Sequence, residues 1–200
     1  MIYVAIDLET SGLYPGIHQI LEFGAVLEDM ITPVDQLPIF HKYVLSAKGS
    51  YNCQPTAIIM NIDIMKKINE YNWKIPENDP EQPHPFVRDD LLVGEFLKWL
   101  KSYGIIENEE APGYINVGGK NFMGFDYPFI KALQYGNKIK IRRRIIDPAP
   151  LYFDPAVDAD LPDLQTCLDR AGITKTVLHT AVEDSIDVIK LFRHKFGIPF

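Results

Sequence analysis

Cysteine is scarce in this 200-residue sequence. There are two, Cys53 and Cys167, far apart and with no C-x-x-C spacing. That argues against a cysteine zinc site and a disulfide scaffold, and reads as two reduced thiols of an intracellular protein. Long apolar runs are missing as well. The first, Ile2 to Ile6, is too short for a signal-peptide core and has no basic stretch before it. No run approaches the roughly 20 apolar residues that span a bilayer. The expectation is therefore a cytoplasmic protein without a membrane partner. Internal repeats and low-complexity tracts are absent. Positive charge is in deficit, with 20 Lys and Arg against 27 Asp and Glu and a formal net charge of −7. A protein that binds nucleic acid by neutralising phosphates is usually basic, so charge alone counts against that class. It counts less if the acids gather where cations sit, because bound cations invert the local field.

What is present suffices for one domain spanning residues 1–200. The chain is 46% hydrophobic, and a domain of this length buries most of its unfolded surface. Ile2 to Ile6 reads as a buried strand broken by Thr10-Ser11-Gly12. Gln19 to Leu27, with Gly24 inside it, and Phe40 to Leu45 read as the next two strands. Thr56 to Ile68 has helical spacing. A proline-rich loop insertion follows at about 74–90, carrying Pro76, Pro80, Pro83 and Pro85. Leu91 to Tyr103 reads as an amphipathic helix, Tyr114 to Val117 as a short strand, and Pro128 to Gln134 as a helix. Lys138 to Ile146 looks extended, with basic residues alternating against isoleucines. Leu161 to Arg170 and Ala181 to Phe196 are the last helices. Strands first, then helices interleaved with strands, indicate an α/β fold on a mixed sheet.

Four acids stand out. Asp7 and Glu9 follow the first strand two residues apart, on one face. At that spacing they repel by about a few kcal/mol at an effective dielectric of about 20. A cation between them removes the repulsion; solvation after the strand's end would do so too. Asp126 precedes Pro128, so it reads either as a helix cap or as a site residue pressed against the core by Phe125 and Phe129. Asp184 is the most informative. It lies on the apolar stripe of Ala181, Val188, Leu191 and Phe192, where an ionised carboxylate is costly without compensation. No basic residue is an obvious partner. His179, five residues earlier, falls off that face and reads as a turn residue just before the helix. His18, His41, His84 and His194 carry no comparable signal.

Together and in order these residues resemble the DnaQ-like DEDDh 3′–5′ exonucleases. Asp7-Leu8-Glu9-Thr10-Ser11-Gly12 is similar to that family's D-x-E-T-x-G. Asn121 with Phe125, Asp126 and Phe129 is similar to N-x-x-x-F-D-x-x-F, and His179, Ala181 and Asp184 to H-x-A-x-x-D. Leu161-Pro162-Asp163-Leu164 with Gly172 resembles the helix that leads into the third motif. The resemblance implies an RNase H-like fold, a mixed five-stranded sheet with helices on both faces. It implies that Asp7, Glu9, Asp126 and Asp184 hold two Mg²⁺ or Mn²⁺ ions, which suit oxygen-only ligands better than zinc does. His179 would be the general base, a role fitting a group that titrates near neutral pH. Thr10, Leu13, Asn121 and Phe125 would contact the strand, with Leu13 wedged against the terminal bases. Tyr14 and Phe125 are also candidates for stacking.

The expected activity is metal-dependent removal of nucleoside 5′-monophosphates from single-stranded 3′ ends, with DNA and RNA both open. The alternative is a catalytically inactive nucleic-acid-binding module on the same fold. Such a relative should have lost an acid or the histidine, and all five are here. A third reading, a structural domain with a solvated acidic surface, leaves the inward position of Asp184 unexplained.

Overall fold

The computed structural model describes residues 1–71, 85–175, 177 and 179–200. Five strands form one sheet in the order β4-β3-β2-β1-β5. They are β1 (Tyr3–Thr10), β2 (Ile20–Glu28), β3 (Ile39–Leu45), β4 (Phe86–Arg88) and β5 (Val117–Gly118). The first three make an antiparallel meander, while β4 on β3 and β5 on β1 are parallel. The sheet is mixed and five-stranded, as expected. Helices α1 (Pro55–Met60) and α2 (Ile62–Glu70) follow β3. Helix α3 (Asp89–Ser102) follows β4, and α4 (Asp126–Ala132) follows β5. Helices α5 (Leu164–Arg170) and α6 (Ala181–Lys195) close the chain.

The alternation of β1 sorts the two faces. Val4, Ile6 and Leu8 join the large core with Phe23, Phe40, Leu92, Phe96, Phe129 and Ile130, under α3 and α4. Tyr3 and Ala5 point the other way and pack with Val26 against Ile189 of α6. Asp7 and Glu9 continue that second row, so the strand delivers both carboxylates to the α6 side. Helix α5 then packs on α6 through Cys167, Leu168 and Leu191.

Several expectations need correction. Strand β1 does not end before the acids but runs through Thr10, with a register shift between Glu9 and Thr10. Cross-strand bonds to β2 outweigh the polarity of Asp7 and Glu9. The single helix expected from Thr56 to Ile68 is two, broken at Asn61, whose side-chain amide donates to the Thr10 carbonyl (3.2 Å). Residues 138–146 are not a regular strand. Gly136–Lys138 is a 3₁₀ turn, and only isolated bridges at Ile141 and Ile146 follow. Most of the proline-rich segment lies outside the described residues. Its end is not loop: Phe86–Arg88 forms β4, Val87 is buried, and α3 starts at Asp89. Pairing with β3 and burial of Val87 override the proline signal once the prolines are past.

Candidate metal centre

The C-terminal half of β1 has β2 on one side, but β5 on the other reaches only as far as Ala5↔Gly118. Beyond that the chain turns away toward α4, and the N–H of Leu8 faces an open edge. The Asp126 carboxylate fills it, with Oδ1 accepting from Leu8 N at 3.0 Å. Asp126 is therefore not the helix cap. Phe125 occupies that position, and Asp126 is the first residue of α4, 2% exposed and turned onto β1. On the other side, Glu9 lies directly opposite Glu22 of β2. Asp184, in the first turn of α6, is buried beneath the same face.

The strand and helix are held together by Glu22, which the sequence reading did not single out. It is 2% exposed. One oxygen accepts from the backbone N–H of Ala181 (3.0 Å), and the other is hydrogen-bonded to Nε2 of His41 (2.6 Å). The backbones approach closely here because residue 24 is glycine. A Cβ there would stand 2.4 Å from the Ala181 carbonyl carbon. Both residues carried a readable signal. Glu22 is the one charge within the apolar run Gln19 to Leu27 that reads as a strand, the same anomaly that marks Asp184. A glycine inside a strand often marks close backbone approach.

His179 sits just before α6, as expected, in a left-handed conformation with φ of 51°. Histidine is among the residues that tolerate this region. The side chain is exposed, and a ring nitrogen, a Glu9 oxygen and an Asp184 oxygen all lie within 4.8 Å of one another. This trio could itself hold a cation. Asp7 and Asp126 stand outside it but close enough to interact with it.

The electrostatics of the cluster are unfavourable to the protein alone. Burial lifts the Glu9 carboxyl to about 8, with Asp184 and Glu22 adding to the effect. Burial likewise lifts Asp126 to about 8, partly offset by backbone hydrogen bonds. Asp184 rises to about 7 through burial and then through Asp187. Asp7 retains some contact with solvent, yet protein atoms crowd it enough that burial is still the first cause of a large upward shift. Asp126, Asp184, Glu9 and Glu22 follow in that order. Among the described residues no Lys or Arg side chain is bonded to any of the four. The nearby Lys175 is engaged by Glu183 (2.7 Å) and Asp187 (2.9 Å). Asp184 Oδ1 is buried without a hydrogen-bond partner among the described residues. An orphaned carboxylate oxygen amid three further acids fits divalent cations that take oxygen ligands.

The residues expected to touch a strand are placed less uniformly. Leu13 is 61% exposed, on a loop that Gln54 and His18 pin in place. His18 accepts from the Tyr14 N–H (2.9 Å) and stacks on the Tyr14 ring, so it helps to shape this loop. Thr10 is buried, and its hydroxyl donates to the Gly12 carbonyl, so it shapes the turn. Asn121 is exposed in a left-handed turn, with its N–H donating to Asp147. Phe125 is partly buried against Phe129.

No family model and no curated protein sequence matches the chain. Solved structures do. Exonuclease I of E. coli in complex with a dT13 oligonucleotide superposes with a TM-score of 0.63 at 15% identity, over 96% of this chain and 40% of that one. The zinc-ion-bound form of the E. coli exonuclease I–ssDNA complex gives 0.63 at 15%, over 96% and 39%. Exonuclease I from Methylocaldum szegediense gives 0.58 at 13%, over 96% and 40%. The likeness shows a shared fold, and this chain spans about two fifths of the length of those proteins.

Proposed function

We propose that this chain is a metal-dependent 3′–5′ exonuclease, hydrolysing phosphodiester bonds from the 3′ end of single-stranded DNA or RNA and releasing nucleoside 5′-monophosphates. The observation that carries the reading is the un-neutralised cluster of Asp7, Glu9, Asp126 and Asp184, with one Asp184 oxygen orphaned. The shared fold with exonuclease I, solved with single-stranded DNA and with zinc ion, supports it. Asp7, Glu9, Asp126 and Asp184 would hold two Mg²⁺ or Mn²⁺ ions, whose Lewis acidity acts on the attacking water and the departing 3′ oxygen.

The chain's own groups do the rest. His179 takes the proton of the attacking water. Its exposed ring hands that proton on to solvent, while the left-handed turn keeps it beside Glu9 and Asp184. Glu22 fixes the first turn of α6, so Asp184 and His179 keep their positions relative to β1. Leu13, exposed on its pinned loop, abuts the terminal base, and Phe125 offers a face for stacking.

Digestion of 5′-labelled DNA and RNA oligomers with Mg²⁺ or Mn²⁺ tests the proposal. The expected result is a ladder shortened one nucleotide at a time from a free 3′-OH, with a 3′-phosphate slowing the reaction strongly. Equal cutting of circular single strands would mean an endonuclease and overturn the polarity.

A further inference from the structure

The surface beside β5 carries a basic feature that the acid site does not use. Residues 141–146 run along the outer edge of β5 and the residues just before it, and touch them in parallel at two points, Ile115↔Ile141 and Gly118↔Ile146. The bonds Arg142 N to Ile115 O (2.9 Å) and Ile146 N to Val117 O (3.0 Å) fix those points. Between them the inner segment advances from 115 to 118 while the outer one advances from 141 to 146. Two extra residues must be extruded: Arg143 and Arg144 bulge out beside Arg142, whose N–H keeps its bond to Ile115, and all three are exposed.

These three are half of the arginines in the chain. The other three each have a carboxylate partner: Arg88 with Asp90, Arg170 with Asp158, Arg193 with Glu28. Among the described residues Arg142, Arg143 and Arg144 have none. Even the adjacent Lys138 is paired, with Glu110. The guanidiniums edge a recess of about 610 Å³ whose other wall includes Tyr114, 65% exposed. Unpaired guanidiniums present forks that match phosphate oxygens, and a free aromatic ring beside them offers a stacking face for a base. In a chain of net charge −7, such a cluster attracts a polyanion and little else.

Its position relates it to the acid site. The segment continues into Asp147, whose carboxylate accepts from Asn121 N on the turn leading to Asp126. The bulge lies level with the start of β1, since Val4 pairs with Val117. Asp7 and Glu9 stand three and five residues further along β1, roughly 10–17 Å away at about 3.3 Å per residue. At the 3.4 Å rise of a stacked strand that is about three to five nucleotides.

Resting on the exonuclease reading for the nature of the polyanion, we propose that Arg142, Arg143 and Arg144 with Tyr114 form a second contact for single-stranded nucleic acid. It grips the backbone about three to five nucleotides upstream of the 3′ end. Short products then reach the acids without this contact, and longer strands use both.

The test compares 5′-fluorescein-labelled dT3 and dT12 by anisotropy, with Ca²⁺ replacing Mg²⁺ and at several salt concentrations. The proteins are the full chain, its R142Q/R143Q/R144Q variant and its R142K/R143K/R144K variant. The glutamine variant is expected to bind dT12 at least about 10-fold more weakly. Its logarithmic salt slope should fall by about 2, from three phosphates at about 0.7 each. Cleavage of dT3 with Mg²⁺ should be unchanged, which also reports that the variant is folded. The lysine variant should keep the slope and lose part of the affinity. Unchanged dT12 binding, or equal weakening of dT3 and dT12, would overturn the proposal. So would displacement of dT12 by an equimolar acidic peptide such as hexaglutamate, which would assign the arginines to a protein partner. A wild-type chain that binds dT12 through the arginines but never shortens it would leave this contact standing and remove the exonuclease reading.

Discussion

Helix α6 buries acidic groups near both of its ends, and among the described residues only the pair at its C-terminal end is neutralised. Near its C-terminus Glu28 of β2 is fully buried and is gripped by Arg193 through two hydrogen bonds, 2.9 and 2.7 Å. The same guanidinium also donates to the Thr32 and Pro199 carbonyls. Near its N-terminus Asp184 faces Asp7, Glu9 and Asp126, and among the described residues no Lys or Arg is bonded to any of them. The first arrangement is complete within the chain. The second is incomplete among the described residues, and on the proposed reading a cation would complete it. Removing one partner from a buried pair leaves an uncompensated charge, so the N-terminal cluster resembles a salt bridge whose cationic half comes from solution.

The comparison breaks most sharply at Asp184. Asp184→Asn should bring Mg²⁺-dependent nucleotide release below detection while leaving the metal-free protein at least as stable, because a repulsive charge is gone. Melting curves in EDTA alongside an end-labelled digestion check both halves. Retained activity would remove the carboxylate cluster from the chemistry. His179→Ala comes next. The rate should drop by about 10²–10⁴, the usual worth of a general base, with Mn²⁺ affinity nearly intact by calorimetry. The ring is close enough to Glu9 and Asp184 to serve as a ligand, so loss of Mn²⁺ would reassign it to that role.

At the other end of the helix the prediction inverts. Arg193→Met should cost about 3–5 kcal/mol of stability, the penalty for stranding a buried carboxylate, and leave activity per folded chain unchanged. Urea unfolding measures it. No divalent ion should rescue this variant, in contrast to the acid site.

The acid cluster also sets a pH dependence. Glu9 and Asp126 are lifted to about 8 and Asp184 to about 7, all above their unfolded values. The folded state therefore holds more protons than the unfolded one across this range, and metal-free stability should fall as pH rises from about 4.5 to 8. Mn²⁺ should flatten that slope, since it replaces the protons. A metal-free melting temperature that rises with pH over this range would contradict the shifts.

Much of this was readable in advance. The strand order of the meander, the inward place of Asp184 and the position of His179 before α6 followed from periodicity and from the cost of a buried charge. The alternation of β1 placed Asp7 and Glu9 together, although the strand proved to run on past them. Two kinds of feature were not readable. Asp126 serves a backbone N–H 118 residues away, a contact that local sequence cannot report and that looked like a cap. Likewise the break at Asn61 and the bulge at Arg143 and Arg144 arise from tertiary bonds that override local pattern. Glu22 is legible too, but a glutamate in a strand reads as solvent-facing until its apolar neighbours on both sides are weighed.

On the proposed reading the cluster at the start of α6 takes its cation from solution, whereas the one at its end has Arg193. Calorimetric titration of Mn²⁺ into the wild-type chain and into Asp7→Asn at pH 8 tests it most directly. Two ions bound per wild-type chain and the loss of at least one in the variant are expected. Absence of Mn²⁺ binding to the wild type, or identical stoichiometry and affinity in the two proteins, would contradict it.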